Sequence, residues 1–290
     1  MIEIYRFIED HRSTYGVERM CRSLEISRNG YYTWKRGDKT KRQQANEALI
    51  VTIKAIDKEF HGTYGSPRMT RELRDRGICC NEKRIARLMK QADIKAAGAR
   101  KFKVTTHSDH SLAVAENLVN QQFEADAPNQ LWTSDITYLW TREGWLYLCV
   151  ILDVFSRQIV GWSVDRYLKK ELVIHALKQA LARRHITPGL IFHSDRGSQY
   201  ASNDFRKILD DYKILQSMSG KGNCYDNAIT ESFFSTLKRE LIYPFETFRT
   251  RAEGKSTLFY YIEYFYNKIR KHSAIGYKAP IQYEKLKNAA

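Results

Sequence analysis

The first 95 residues show polar and apolar positions that recur with the period of an α-helix. Between residues 49 and 60, every third or fourth side chain is apolar, which places one face of a helix against a core. These residues are Leu49, Ile53, Ile56 and Phe60. An earlier stretch has the same spacing at Val17, Met20, Cys21 and Leu24. Ser27 then offers an N-cap for a short helix with Tyr31, Tyr32 and Trp34.

Two more helices are predicted from residues that start and stop helices. Ser66 is predicted as an N-cap with Pro67 at the first helical position, and Gly77 ends this helix. Asn81 is predicted to cap a helix that turns Ile85, Leu88 and Met89 inward and leaves Lys83, Arg84, Arg87 and Lys90 outside. A cationic outer face suits the DNA-contacting helix of a helix-turn-helix unit, although it also fits an ordinary solvated helix.

After residue 130, strand-like runs alternate with amphipathic helices. Strands are predicted at 131–140, 145–155 and 158–164, and the middle one is apolar on both faces, as in a buried strand. The later elements are a helix at 169–184, a strand at 190–195, a helix at 202–212, a strand at 214–219 and a helix from Asp226 to about residue 241. This order predicts an α/β fold, with helices packed on a mixed sheet.

These patterns divide the chain into four predicted regions. Residues 1–95 form an all-α helix-turn-helix region, 96–128 a linker, 129–245 the α/β core and 246–290 a helical extension of that core. In the extension, Leu258, Ile262, Phe265 and Ile269 make a stripe that predicts core packing. Four residues, Arg270, Lys271, His272 and Lys278, fit either DNA contacts or a solvated face.

The charge of the chain indicates what kind of partner the protein binds. The 290 residues carry a net charge of +15, of which residues 1–100 contribute +9 and residues 131–290 contribute +8, whereas residues 101–130 are acidic. A basic surface of this size favours polyanions, above all nucleic acid. The sequence has no run of about 18 apolar residues and no apolar leader, so we expect a cytosolic protein without a membrane partner. The five cysteines lack metal-site spacing and are expected to be reduced and mostly packed.

Three carboxylates lie in stretches of otherwise apolar or small residues, where burying an unpaired acid would cost free energy. Asp135 lies inside the first strand, Asp195 follows an apolar strand at its C-terminal end, and Glu231 lies one turn into a helix. Carboxylates held on a sheet and a helix are ligands that Mg²⁺ prefers. Composition alone does not select these three acids from the 33 present: Asp153 on the next strand is similarly placed, Asp210, Asp211 and Asp226 are available, and a structural role fits the trio equally well.

The segments around these acids resemble the signatures of DDE transposases. They read WTSDITYL, HSDRGSQY and DNAITESFFSTLKREL, with 35 residues between Asp195 and Glu231 and with Lys238 seven residues after Glu231. This pattern is similar to that of the insertion-sequence-three family, and the chain resembles its second-reading-frame product. The resemblance covers nearly the whole chain, including YGSPRM and the C-terminal YNKIRKHSAIGYKAPIQYE.

The resemblance implies both a fold and a reaction. The fold would be the ribonuclease H-like core of the retroviral integrase superfamily. Asp135, Asp195 and Glu231 would bind two Mg²⁺ ions, which Mn²⁺ could replace, for displacement at a phosphodiester. Lys238 would hold the DNA end, because seven residues along a helix place it on the face of Glu231, about 10 Å away. The partners would be the element ends, target DNA, an upstream-frame product or fusion, and further copies of the chain on DNA.

Two other functions fit the same residues. The chain could be a DNA-binding accessory or regulatory subunit without activity of its own, because the family usually fuses an upstream frame to this one. It could also be a nuclease of the same superfamily that cuts without strand transfer. Joining assays and product analysis discriminate between these alternatives.

Overall fold

The structure of the protein is a computed structural model that describes residues 1–37, 39–96, 114–220, 227–242 and 247–288. The helices before the sheet are α1 (Ile2–His11), α2 (Val17–Ser23), α3 (Arg28–Arg36), α4 (Lys41–Glu59), α5 (Ser66–Asp75) and α6 (Glu82–Gln91). The strands are β1 (Leu131–Thr141), β2 (Gly144–Asp153), β3 (Ile159–Asp165), β4 (Ile191–Ser194) and β5 (Leu215–Met218). The later helices are α7 (Lys170–Arg183), α8 (Asn203–Asp211), α9 (Ala228–Leu237), α10 (Arg251–Phe259) and α11 (Pro280–Asn288). A first π-helix (Lys238–Ile242) continues α9, and a second π-helix (Tyr260–Ile269) continues α10.

The strands form a five-stranded mixed sheet in the order β3-β2-β1-β4-β5. The first three strands pair antiparallel, whereas β4 pairs parallel to β1 and β5 pairs parallel to β4. Parallel neighbours need crossover connections, and α7 and α8 provide them. This arrangement confirms the α/β prediction and has the ribonuclease H-like strand order.

Apolar side chains cover both faces of the sheet, as the all-apolar β2 predicts. One core joins the sheet to α7 and α8 and contains Trp132, Ile151 and Phe192. Close packing of α7 requires Gly161 on β3, because a Cβ atom there would meet the Ala176 carbonyl oxygen. The other core joins the opposite face to α9, α10 and the second π-helix.

Helices α4 to α6 belong to this second core rather than to a separate one. Ile53, Met69 and Leu88 lie in the same hydrophobic cluster as Val150 and Phe233 of the α/β region. The stripe of α4 and the inward face of α6 are buried as predicted. By contrast, α1 to α3 have a small core of their own, formed by Ile8, Met20, Cys21 and Tyr31.

Three local predictions about the helical region can be compared with the structure, and two need correction. Gly65, and not Ser66, is the N-cap of α5, so that Pro67 is at the second helical position. Leu24 follows the end of α2 and is 39% exposed, so it does not continue the stripe. Asn81 does cap α6, since its side chain accepts a 2.8 Å hydrogen bond from the Lys83 amide.

The predicted linker includes 97–113, which lie outside the described residues, and a described part that packs on the sheet. Val119 is buried, the Leu118 amide donates to the Ser217 hydroxyl at 2.9 Å, and the Met218 amide donates to the Glu116 carbonyl. Residues 114–119 therefore run beside β5.

Free thiols and helix lengths agree with the composition. Cys21, Cys80 and Cys149 are buried and Cys79 is exposed, all without disulfides, whereas Cys224 lies outside the described residues. In the described ranges, no helix is both long enough and apolar enough to cross a bilayer.

Candidate active site

Asp135 and Asp195 lie side by side at one edge of the sheet. The parallel pairing of β1 and β4 ends at Ser134 opposite Ser194, and each aspartate is the next residue along its strand. Asp195 Oδ1 accepts a 3.0 Å hydrogen bond from the Gly197 amide, which begins the loop after β4. The strand pairing therefore brings together two acids that are 60 residues apart.

Glu231 reaches the same place because α9 is hydrogen-bonded to β1. The Thr230 hydroxyl donates to the Thr133 hydroxyl at 2.8 Å, and Asn227 Nδ2 donates to the Ser134 carbonyl at 3.4 Å. These bonds join residues near Glu231 to residues near Asp135. Thr133, Thr230 and Asn227 are positioning residues that sequence reasoning missed; their only signal is a small polar side chain close to each acid.

Electrostatic interactions link the three acids and Lys238. Burial raises the pKa of Asp135 well above its ordinary value, and the charges of Asp195 and Glu231 raise it further. The Lys238 ammonium and the Ile136 amide oppose this rise. Burial also raises the pKa of Glu231 and lowers that of Lys238. The site therefore concentrates negative charge that water solvates poorly, which favours a bound cation.

Asp135, Asp195 and Glu231 lie in the same region, but in the described residues they do not form a complete metal-binding site. Across the described ranges, no three His, Cys, Asp or Glu side chains are close enough to hold a metal ion. Residues 221–226, which precede α9 along the chain, lie outside the described residues. Asp226, where this helix is predicted to begin, is among them, and Asn227 is the N-cap residue of α9, without a side-chain cap bond.

Lys238 lies at the border between α9 and the first π-helix. Its Nζ atom is 5.8 Å from the centroid of the Tyr138 ring on β1. Its charge also acts on Asp135, as the pKa of that carboxyl shows. Lys238 is therefore near Asp135.

Asp153, the acid on the next strand, and His193, which precedes Asp195 by two residues and could face the site, both have structural roles. Asp153 is fully buried at the end of β2, where it accepts hydrogen bonds from the Asn129 and Phe155 amides and pairs with Arg184 at 3.4 Å. His193 is fully buried, and its Nδ1 lies 2.8 Å from the Ser217 hydroxyl. Neither side chain is available to a substrate.

The structure shows cations on the outer face of α6, and one of them, Arg84, is hydrogen-bonded to another helix. Lys83, Arg87 and Lys90 are exposed, and Lys83 and Arg87 line an open groove with Lys41 of α4. Arg84 is half-buried, and its guanidinium donates to Asn46 Oδ1 at 2.8 and 3.1 Å. Arg84 lines the same groove, and its bond to Asn46 holds α6 against α4, so this arginine faces outward but its guanidinium is already engaged.

The C-terminal cations also differ from either alternative predicted for them. Arg270 is only 2% exposed and forms a two-pronged ion pair with Glu240, with distances of 2.7 and 2.8 Å. Lys271 pairs with Glu72 and Asp75 of α5. Arg270 therefore joins the extension to the first π-helix and Lys271 joins it to α5, instead of facing DNA or solvent.

Comparisons with known proteins agree with this architecture. Residues 125–224 and 231–287 match two families that are both described as integrase core domain, and residues 44–102 match an HTH-like domain family. Among solved structures, the simian T-cell lymphotropic virus intasome in complex with PP2A regulatory subunit B56 gamma is similar at 15% identity. The similarity covers 80% of this chain and 74% of that chain, with a TM-score of 0.46. The strand order and the family matches together define an integrase-type core with a helix-turn-helix-like domain.

Relatives of nearly the same length identify the family. Transposase InsF for insertion sequence IS3A from Escherichia coli is 42% identical over 97% of this chain and 98% of its own length. The insertion element IS600 uncharacterized 31 kDa protein from Shigella sonnei is 44% identical over 90% of this chain and 96% of its own. The chain belongs to the transposases of the insertion-sequence-three family.

Proposed function

We propose that this chain cuts DNA at the ends of its own element and joins the 3′-hydroxyl to another phosphodiester, with Asp135, Asp195 and Glu231 as catalytic residues. The observation that carries this proposal is the position of the three acids. Two of them follow the last residue pair of adjacent parallel strands, and the helix of the third is hydrogen-bonded to the same strand. Phosphoryl transfer depends mainly on positioning and charge stabilisation, which such a rigid arrangement supplies.

The donor set fits Mg²⁺, with Mn²⁺ as a substitute. Hard divalent cations take oxygen ligands, and the repulsion that raises the pKa of Asp135 is what a cation relieves. When bound by Asp135, Asp195 and Glu231, two Mg²⁺ ions would stabilise the charge on the attacking and leaving oxygens of the displacement. The carboxylate side chains must move closer together to bind the ions, since no three acidic groups in the described residues are close enough to hold a metal ion.

DNA contacts are assigned to two regions of positive charge. Lys238 holds the DNA end, because its ammonium lies beside the acids and would balance phosphate charge there. Lys83, Arg87 and Lys90 contact phosphates from the exposed face of α6. Arg84 supports this surface through its bond to Asn46.

We further propose that the chain works in the bacterial cytosol as a homo-oligomer on DNA, with an upstream-frame product or as a fusion with it.

The test removes the charge of each acid and retains its size. Asp135→Asn, Asp195→Asn and Glu231→Gln should each abolish Mg²⁺-dependent cleavage and joining of an element-end oligonucleotide, and circular dichroism should show an intact fold. The chain should be assayed alone and fused to its upstream frame, so that a missing partner is not mistaken for a missing active site. Asp211→Asn, at an exposed position of α8, is the matched control.

Near-normal joining by any of the three variants would remove that residue from the site. Cleavage without joining by the wild-type fusion would instead indicate a nuclease. If neither the chain nor the fusion cleaves DNA and both bind the element ends, the accessory-subunit alternative would hold.

A further inference from the structure

Three large aromatic side chains are exposed together at the hairpin between β1 and β2. Tyr138, Trp140 and Trp145 are 40%, 51% and 44% exposed. The Trp145 ring centroid is 5.0 Å from that of Tyr138 and 4.8 Å from that of Trp140, with edge-to-face geometry. We name these residues the hairpin aromatic patch. A patch of exposed aromatic rings is a mark of an interaction site, because water solvates such surface poorly.

The patch borders the candidate active site. Tyr138 follows Asp135 by three residues on β1, so the two side chains leave opposite faces of the strand. Strand β4 pairs with β1 only as far as Ser134. Lys238 reaches this stretch of β1, with its Nζ 5.8 Å from the centroid of the Tyr138 ring. The same lysine acts electrostatically on Asp135. One cation therefore connects the acids to the first ring of the hairpin aromatic patch.

More positive charge lies at this end of the sheet. Strands β1 and β3 run in the same direction, since each pairs antiparallel to β2, so both end near the hairpin. The end of β3 is followed by exposed Arg166 and Lys169, which lie 4.7 and 5.0 Å from the Tyr167 ring. Aromatic rings among cations form the combination that binds single-stranded nucleic acid, because rings stack on bases while cations attract phosphates.

We propose that the hairpin aromatic patch stacks on unpaired bases of the DNA strand next to the phosphodiester held by Asp135, Asp195 and Glu231. Bases within a duplex stack on each other and offer no free face, whereas bases at an opened end do. The inference rests on the proposed function, because it assigns these bases to the DNA that the active site cuts. It predicts a preference for opened ends that depends on bases and does not arise from phosphate charge alone.

The test separates bases from phosphates. Three fluorescent probes share one duplex: a blunt form, a form with a single-stranded thymidine extension, and a form with an abasic extension of equal length. Affinities are measured by anisotropy at fixed salt without divalent metal, so that no probe is cut. Wild-type protein should bind the thymidine extension more tightly than the abasic one. Trp140→Ala and Trp145→Ala should weaken binding of the thymidine extension by about 5- to 100-fold, the range expected for losing one base stack.

Control variants show whether the loss is specific to the patch. Trp140→Phe keeps an aromatic ring and should retain most of the preference, and it also serves if the alanine variants fold poorly. Tyr264→Ala removes a 48% exposed ring from the second π-helix and should leave all three affinities unchanged. Equal binding of the thymidine and abasic extensions by the wild type would overturn the proposal. An equal loss on all three probes in the alanine variants would also overturn it.

Two further readouts separate base stacking from self-association and from catalysis. Sedimentation of the wild type and Trp140→Ala without DNA tests the patch as a contact between copies of the chain; a change of oligomeric state without loss of base preference would overturn the stacking role. Asp135→Asn should retain the preference for the thymidine extension. If the wild type shows that preference and yet no form of the protein cleaves DNA, the catalytic proposal fails and the stacking site stands.

Discussion

At the scale of single residues, Asp135 shows how the site conflicts with folding stability. Its pKa is raised by folding, so its contribution to stability is full below the unfolded-state pKa and is lost as pH rises through the folded-state pKa. At neutral pH without divalent metal, this buried carboxyl is therefore less favourable to the fold than it is at acid pH. We expect Asp135→Asn to raise the Tm by about 2–4 °C, equivalent to about 1 kcal/mol for a chain of this size, in a thermal melt at pH 7.

The same melt contains its own controls. Mg²⁺ should raise the Tm of the wild type and have little effect on Asp135→Asn, because a ligand of the native state stabilises only when it binds. The difference in Tm between Asp135→Asn and the wild type should become smaller as pH falls, because the wild-type carboxyl then takes up its proton. A lower Tm for Asp135→Asn at pH 7, or an equal response to Mg²⁺, would contradict a metal-binding carboxylate at this position.

At the scale of elements, a buried charge network joins three helices behind the active site. Glu240 of the first π-helix pairs with Arg270 after the second π-helix, accepts a 2.8 Å hydrogen bond from the Tyr261 hydroxyl, and lies 3.5 Å from Arg68 of α5. Because the first π-helix directly continues α9, this network supports the helix that carries Glu231 and Lys238.

Removing one partner of this network should be costly. Arg270→Met leaves Glu240 buried with incomplete compensation, so we expect a loss of about 3–5 kcal/mol in the free energy of unfolding, measured by urea denaturation. Arg183→Met breaks the more exposed pair with Glu263 and should cost about 1 kcal/mol or less. Combining Arg270→Met with Glu240→Leu should restore much of the loss. Wild-type stability in the single Arg270→Met variant would show that the network does not hold these helices.

At the scale of the whole molecule, the net charge of +15 should make DNA binding depend steeply on salt. We expect the affinity for a duplex to fall by about 10³-fold or more between about 50 and 200 mM salt, as counterions return to the phosphates. Arg87→Ala should lower the slope of log affinity against log salt by about one, because each phosphate contact releases about one counterion. A flat salt response in anisotropy titrations would make the charge incidental to binding.

Much of this architecture could be predicted from the sequence because it depends on local patterns of polar and apolar residues. The stripe of α4 and the apolar β2 each reflect the burial of one element, and each is visible within a window of about a dozen residues. The acids Asp135, Asp195 and Glu231 are distinguished by their surrounding segments and spacing, since composition alone does not separate them from the other acids. The sequence by itself thus determined the elements, their order along the chain and the candidate chemistry.

Only the tertiary structure decided which charges are free and which elements share a core. Arg84 and Arg87 look alike on a helical projection, yet Arg84 is held by Asn46 and Arg87 is exposed. Arg270 is neutralised by Glu240, 30 residues away. Helices α4 to α6 join the core of the sheet, although about 40 residues separate α6 from β1 along the chain. These contacts are long-range, and their energy depends on partners and solvent access that no local pattern encodes.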